Sequence, residues 1–285
     1  MVRVPPGRQR HQHRRSSAVS APHERLSEIF ATCRAEKRAA LVGYLPVGYP
    51  TVGKSIEAMG TLVEGGCDLI EVGIPYSDPV MDGTTIQDAA FEAIANGVRV
   101  RDVFTAVEAI TAAGGAAVVM TYWNLVMKYG VENFARDLAA AGGLGIITPD
   151  LIPDEAADWI AASDKYGLGR TFLVAPSSTN ERLVNTLEQC RGFVYATSTM
   201  GVTGARDAVD NRAPELVARV RAHSDIPVGV GLGVRNGAQA AEIAAYADGV
   251  IVGSALVSAV AQGPDALLAL TQNLAKGVRS ATVAS

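Results

Sequence analysis

The chain has 285 residues, of which 48% are hydrophobic and 19% are charged, and this is enough apolar material for a sizeable core. No apolar run reaches the roughly 20 residues that a membrane-spanning helix needs, and the three cysteines show no paired spacing, which is typical of reduced thiols. The composition therefore excludes a membrane-spanning or disulfide-stapled protein and predicts a globular cytoplasmic one.

The first 23 residues are basic, with five arginines, three histidines and no acid. Since the net charge of the whole chain is −4, the remaining residues carry −9, which argues against a nucleic-acid surface on the folded body. A nucleic-acid arm or an organelle transit peptide would also be basic, but the Pro, Gly, Gln and Ser content favours a solvated tail. We predict that residues 1–24 form a disordered basic extension and that residues 25–285 form a single domain.

Helix and strand patterns alternate after this extension. Apolar residues at helical spacing predict an amphipathic helix over residues 25–37. Eight apolar runs predict buried strands at residues 39–45, 68–74, 116–121, 144–149, 170–175, 192–197, 226–231 and 248–253. Helical patterns separate them, at residues 52–64, 85–95, 101–112, 131–141, 154–164, 180–189, 213–222 and 236–245, and a closing helix follows at 265–276. This alternation predicts a (β/α)8 TIM barrel with an extra N-terminal helix, and a doubly wound open sheet is the alternative.

The second predicted strand contains a carboxylate, Glu71, inside an otherwise apolar run. A buried acid is costly unless it is paired, protonated or used, and a lone glutamate is most often satisfied by a neighbour. A second acid, Asp82, follows 11 residues later in the loop before the next predicted helix. Because α/β enzymes keep their reacting groups at the carboxyl ends of strands, we expect both acids on one catalytic face.

Glycines follow the last two predicted strands. Gly231 and Gly233 end the seventh strand, and Gly253 with Ser254 ends the eighth, at a predicted helix N-terminus. In TIM barrels these two loops commonly hold a phosphate with backbone N–H groups. Gly204, in the long loop after the sixth strand, would add another N–H group. We therefore expect a phosphorylated ligand, and the lack of a P-loop or GxGxxG motif argues against a nucleotide.

The four histidines and five lysines lie away from the predicted strand ends. A zinc-dependent aldolase would need histidines there, and Schiff-base catalysis would need a lysine. The sequence therefore predicts a site without a metal, made of two carboxylates, a tyrosine and a phosphate pocket. The tyrosine is Tyr195, on the sixth predicted strand.

Five motifs together resemble the tryptophan synthase α-subunit family. They are EVGIPYSDPVMDG at 71–83, MTYWN at 120–124, GVTG at 201–204, GLG at 231–233 and VGSA at 252–255, within a match from about residue 25 to 275. The resemblance implies a lyase of tryptophan biosynthesis that cleaves indole-3-glycerol phosphate to indole and glyceraldehyde 3-phosphate. It also implies that this chain has no cofactor and forms an α2β2 heterotetramer, in which a pyridoxal-phosphate β-subunit receives the indole.

The resemblance implies roles for individual residues. The implied catalytic residues are Glu71, Asp82 and Tyr195, and the implied substrate contacts are Tyr44, Ile86, Thr203, Gly204, Gly233, Gly253 and Ser254. The chain departs from the family pattern at Thr84, where proline is frequent, and at Ser198-Thr199-Met200, where some relatives have an arginine. Neither departure involves the acids, so both bear on loop stiffness and not on the type of reaction.

Two other functions stay open from the residues alone. One is a different phosphosugar-binding barrel enzyme, which a catalytic lysine or cysteine at a strand end would favour. The other is a non-catalytic regulatory subunit, against which the intact acids argue. For a β-subunit partner, we expect contacts at loop 75–83 and Asn124, with loop 199–211 closing over the substrate. We expect no nucleic-acid or membrane partner.

Overall fold

A computed structural model describes residues 20–197, 212–231 and 233–281. The strands are β1 Ala40–Pro46, β2 Leu69–Gly73, β3 Ala117–Met120, β4 Gly145–Ile147, β5 Gly169–Thr171, β6 Leu173–Val174, β7 Val194–Thr197, β8 Val228–Gly231 and β9 Gly249–Val252. They pair in parallel in the order β5-β4-β3-β2-β1-β9-β8-β7-β6. Because β5 and β6 are one run interrupted at Phe172, their pairing with β4 and with β7 closes the sheet. The predicted TIM barrel is confirmed, and the alternative of an open sheet is wrong.

Helices surround the barrel. They are α1 Pro22–Ala35, α2 Val52–Glu64, α3 Thr84–Ala95, α4 Asp102–Ala112, α5 Trp123–Tyr129, α6 Val131–Ala140, α7 Ala157–Tyr166, α8 Asn180–Gln189, α9 Arg212–Arg221, α10 Gly237–Ala244, α11 Ser254–Gln262 and α12 Pro264–Ser280, with a 3-10 turn at Pro153–Glu155. Among the described helices, none is long and apolar enough to cross a membrane. The sequence patterns did not predict α5, and for α11 they indicated only the start.

The extra N-terminal helix α1 closes the amino-terminal end of the barrel. Its buried side presents Leu26, Phe30 and Cys33, which join inward-facing residues of the strands in one apolar cluster. The ring of Phe30 packs against Phe193 with centroids 5.1 Å apart. The helix begins three residues earlier than the pattern predicted, because the N–H of His23 donates to the carbonyl of Gly167 at 2.9 Å. This contact lies 144 residues away in the chain, so local periodicity could not show it.

Removal of residues 1–19 should leave the melting temperature unchanged, because the basic extension lacks the apolar periodicity needed to dock on the barrel. The contacts that begin α1 start at Ala21, whose N–H donates to the Glu24 carboxylate at 2.8 Å. Thermal unfolding of the shortened and full-length chains checks this expectation. A longer deletion, through Arg25, should lower the melting temperature because it removes those contacts. Destabilisation by the first deletion would contradict the prediction that the basic extension does not dock on the barrel. Residues 22–24, which we assigned to that extension, belong to α1.

At the amino-terminal end of the barrel, two aspartates each form an equivalent pair of hydrogen bonds with a neighbouring strand. Asp68, just before β2, accepts the N–H of Leu41 at 2.8 Å and donates its own N–H to the Leu41 carbonyl at 2.9 Å. Asp248, just before β9, forms the same pair of bonds with Val228 of β8, both at 3.0 Å. These reciprocal bonds hold the register of neighbouring strands, and that register decides which side chains meet at the carboxyl ends.

Candidate active site

A cavity of about 470 Å³ opens at the carboxyl ends of the strands. This volume is typical of a site for a small molecule. The cavity brings together every predicted site residue within the described ranges, namely Tyr44, Glu71, Asp82, Ile86, Tyr195, Gly233, Gly253 and Ser254. The remaining two, Thr203 and Gly204, lie outside the described residues, as does the predicted closing loop 199–211.

Glu71 lies in the middle of β2, opposite Tyr44 of β1 and Val118 of β3. Its side chain is only 1% exposed, and its Oε2 atom has no hydrogen-bond partner among the described residues. Burial first, and the charge of Asp82 second, raise the pKa of the Glu71 carboxyl from 4.5 to about 8. At neutral pH this carboxyl therefore holds a proton, and Glu71 is one of the residues that line the cavity.

Asp82 belongs to the loop between β2 and α3. Its N–H donates to the carbonyl of Pro79 at 3.1 Å, and its own carbonyl accepts from Gln87 Nε2 at 2.9 Å. Burial raises the pKa of the Asp82 carboxyl to about 6, and a hydrogen bond from Tyr122 opposes this shift. At neutral pH Asp82 is mostly ionised while Glu71 is mostly protonated. Two acids held in different protonation states are suited to different catalytic roles.

Two tyrosines lie across neighbouring strands in the same way. Tyr44 of β1 leans over Gly73 of β2, and Tyr195 of β7 leans over Gly231 of β8. A Cβ atom at either glycine would overlap the tyrosine hydroxyl, so both rings need glycine beneath them. Burial raises the pKa of Tyr195 well above its ordinary value, so its hydroxyl stays protonated and can donate a hydrogen bond.

Another part of the cavity wall is formed by a helix N-terminus. The helix α11 begins at Ser254 with Gly253 as its N-cap. The first N–H groups of a helix have no intrahelical acceptor and carry partial positive charge, which suits an anion. A Cβ atom at Gly253 would lie 3.4 Å from both Ile86 and Tyr44, so the apolar wall adjoins this helix end. Gly233 turns the chain after β8 with a φ of 63°.

Sequence reasoning missed several residues that line the cavity. These are Met81, Met120, Leu173, Thr197, Arg235 and Ile251. Strand alternation would have indicated two of them, because Thr197 follows Tyr195 by two positions and Ile251 precedes Gly253 by two. Within the described ranges, no three or more His, Cys, Asp or Glu side chains are grouped so that they could hold a metal ion.

Known proteins resemble this chain over most of its length. The sequence model of the family described as "Tryptophan synthase alpha chain" matches residues 30–283. The tryptophan synthase alpha chain of Nocardia farcinica is 72% identical over 261 residues, which cover 92% of this chain and 98% of the relative. That of Mycobacteroides abscessus is 73% identical over 257 residues, with 90% and 98% covered.

Solved structures show the same relationship. A chain of Mycobacterium tuberculosis tryptophan synthase superposes with a TM-score of 0.87 at 68% identity, covering 90% of this chain and 98% of that one. The tryptophan synthase A-subunit of Pyrococcus furiosus superposes with a TM-score of 0.76 at 31% identity, with 84% and 98% covered. This protein therefore belongs to the tryptophan synthase alpha chain family of TIM barrel enzymes.

Proposed function

We propose that this chain is a carbon–carbon lyase that cleaves indole-3-glycerol phosphate to indole and glyceraldehyde 3-phosphate. The observation that carries the proposal is that two carboxyls line a single cavity, Glu71 with its pKa raised to about 8 and Asp82 with its pKa raised to about 6. Membership of a lyase-type family supports it, and nothing favours another phosphosugar enzyme or a non-catalytic subunit.

The first step needs an acid at indole C3. The bond between C3 and the glycerol carbon breaks only after C3 is protonated, and this protonation places positive charge on the ring nitrogen. Glu71 holds a proton at neutral pH and donates it to C3. The Asp82 carboxylate lies beside the ring N–H and stabilises the cation that forms.

The second step returns the proton. The electron pair of the breaking carbon–carbon bond restores the aromatic indole, and the hydroxyl on the departing carbon becomes the aldehyde. Its proton goes to the Glu71 carboxylate, which is thereby reset for the next cycle. The protonated hydroxyl of Tyr195 donates a hydrogen bond beside this transfer. The reaction has no net proton change and needs no cofactor in this chain.

The lining of the cavity offers contacts for both parts of the substrate. Tyr44 and Ile86 contact the indole ring, and the phosphate lies against Gly233, Gly253 and Ser254 at the start of α11. Thr203 and Gly204 remain proposed contacts on the strength of the family resemblance.

Indole release tests the proposal directly. The purified chain, dialysed against EDTA, is incubated with indole-3-glycerol phosphate with and without a tryptophan synthase β-subunit. We expect indole in both cases, and more of it with the partner. Absence of indole in both would contradict the proposal and support a non-catalytic role.

Ser254→Asp should raise KM for indole-3-glycerol phosphate roughly 100-fold or more, because a carboxylate would face the phosphate at the helix N-terminus. Binding of free indole should change little, because indole lacks the phosphate. Ser254→Ala is the matched control, since it keeps the backbone N–H groups and should have a small effect. Steady-state kinetics and an indole binding isotherm measure both. An unchanged KM in Ser254→Asp would place the phosphate elsewhere.

We propose that the β-subunit binds an apolar surface beside the cavity. Val80, Met127 and Ile152 are exposed by 71%, 54% and 44%, and they follow β2, β3 and β4 in turn. Because β2, β3 and β4 are neighbours in the sheet, these exposed apolar side chains follow adjacent strand ends, and exposed apolar surface is typical of protein interfaces. Val80 belongs to loop 75–83, and the side-chain amide of Asn124 donates to the hydroxyl of Tyr76 in the same loop at 3.3 Å. An α2β2 assembly would place the indole product next to a partner that holds pyridoxal phosphate.

Met127→Asp should weaken binding of a β-subunit roughly 10- to 100-fold, because it places a charge in an apolar interface. Phe91→Asp is the control, since Phe91 is a comparably exposed apolar residue, 47%, on the outer side of α3. Sedimentation at micromolar concentration measures both variants and the unaltered chain. Equal binding of the β-subunit by the two variants would contradict the proposed location of the interface. If the unaltered chain forms no complex, the proposal of a β-subunit partner is wrong.

A further inference from the structure

We infer that Tyr122 is a positioning residue for Asp82, because its hydroxyl contacts both the Asp82 carboxylate and the main chain of the preceding residue. Tyr122 lies between β3 and α5, so it reaches the loop between β2 and α3 from the neighbouring strand. The inference rests on the function proposed for Asp82 and assigns a role to a residue of the MTYWN motif that the proposed mechanism does not use.

One oxygen atom makes both contacts. The Tyr122 hydroxyl accepts the N–H of Met81 at 3.0 Å and donates to Asp82 Oδ2 at 3.4 Å. An ionised carboxylate can only accept hydrogen bonds, so the Tyr122 hydroxyl is the donor in the second contact. The second bond is long, as catalytic hydrogen bonds often are before a substrate binds. Together the two bonds fix the main chain and the side chain of the loop at adjacent residues.

The ring of Tyr122 is itself held in place. It is buried and stacks on Tyr76, with centroids 4.9 Å apart and planes 25° apart. Tyr76 belongs to the same loop as Asp82, so Tyr122 contacts this loop near both of its ends. The other bonds of Asp82, to Pro79 and Gln87, restrain its main chain, whereas Tyr122 restrains the carboxylate.

The same hydroxyl acts on the charge of Asp82. Burial raises the pKa of this carboxyl, and the hydrogen bond from Tyr122 lowers it, because the donated proton stabilises the ionised form. Loss of the hydroxyl should therefore raise the pKa further above about 6 and reduce the ionised fraction at neutral pH. Tyr122 thus contributes both the direction of the carboxylate and its charge.

Tyr122→Phe is the decisive variant, because it keeps the ring and its stacking and removes only the hydroxyl. We expect kcat for indole release to fall roughly 10- to 100-fold with KM little changed, since a hydrogen bond to a charged group is lost. The acidic limb of the pH profile of kcat/KM should move to higher pH. A residue with only a structural role would lower the melting temperature without moving this limb.

Tyr246→Phe is the matched control. Its hydroxyl is also buried but has no hydrogen-bond partner among the described residues, and it lies before β9, at the other end of the barrel. Its loss should change neither kcat nor the pH profile. Full activity and an unmoved acidic limb in Tyr122→Phe would overturn the inference.

Two further measurements test whether Tyr122 acts through Asp82. In an Asp82→Asn background, Tyr122→Phe should cause little additional loss, because it acts through a carboxylate that is already absent; multiplied losses would overturn the inference. Carbon-13 NMR titration of the Asp82 carboxyl needs no turnover and should show a higher pKa in Tyr122→Phe, and an equal pKa would also overturn it. If the unaltered chain releases no indole, the proposed function fails, while the titration still decides whether Tyr122 controls Asp82.

Discussion

Glu71→Gln should lower kcat for indole release roughly 100- to 10,000-fold while KM changes little. Glutamine keeps the shape of the side chain and its place in β2, but it has no acidic proton to donate to C3. Steady-state kinetics and substrate binding to the inactive variant separate the two effects. Glu108→Gln, at an exposed position on α4, is the control and should behave like the unaltered chain. Near-normal turnover in Glu71→Gln would remove Glu71 from the mechanism.

As pH rises, Glu71→Gln should also become more stable to unfolding than the unaltered chain. The folded chain holds the Glu71 proton up to a pKa of about 8, whereas the unfolded chain releases it near 4.5. Between these values the folded state binds more protons, so the free energy of unfolding of the unaltered chain falls as pH rises. Each unit of pKa difference corresponds to roughly 1.4 kcal/mol. The free energy of unfolding of Glu71→Gln should therefore exceed that of the unaltered chain by about a few kcal/mol at pH 8. Urea unfolding of both proteins at pH 5 and pH 8 measures this difference in the free energy of unfolding. A difference that does not grow with pH would contradict the raised pKa of Glu71.

Asp82→Asn should lower kcat roughly 100- to 1,000-fold, because asparagine keeps a polar group near the ring N–H but removes the charge that opposes the indoleninium. This deficit should depend on the ring. A substituent that donates electrons to the indole should restore part of the Asp82→Asn loss and almost none of the Glu71→Gln loss. Asp88→Asn, at an exposed position of α3, is the control. If both acid variants respond alike to the substituents, the two carboxyls act as one coupled pair and their separate roles are wrong.

The pH profile tests the same division of roles. For the unaltered chain, kcat/KM should rise as Asp82 ionises near pH 6 and fall as Glu71 loses its proton near pH 8. In Asp82→Asn the acidic limb should disappear. The basic limb should move to lower pH, because the charge of Asp82 is the second cause, after burial, of the raised pKa of Glu71. An unmoved basic limb would show that the two carboxyls do not interact.

The strand ends were the part of the site that the sequence predicted best. An acid inside an apolar run and glycines after the last two strands indicated the catalytic face, because a parallel barrel brings all carboxyl strand ends to one side. The structure places all described members of the predicted set around one cavity. Thr203 and Gly204 lie outside the described residues, and their roles stay predictions.

Sequence patterns did not indicate the contacts between segments that are far apart in the chain. The start of α5 depends on Asp150, whose carboxylate oxygens accept the N–H of Trp123 at 2.9 and 3.1 Å from 27 residues away. The fifth strand run is interrupted at Phe172, beside an isolated bridge between Arg170 and Arg191. Local hydrophobic periodicity contains neither of these facts, since it records which face of an element is buried and not what covers it.

From residue order alone came the fold class, the acids Glu71 and Asp82, and the helix N-terminus at Ser254, because these depend on hydrophobic period, turn residues and position along the chain. Tertiary structure decided the protonation states of the two acids and the contact of Tyr122 with Asp82. A pKa depends on burial and on the charges that surround a group in space, and a hydrogen bond depends on a separation of about 3 Å. Strand register and side-chain packing set both quantities, and they arise only when the barrel closes.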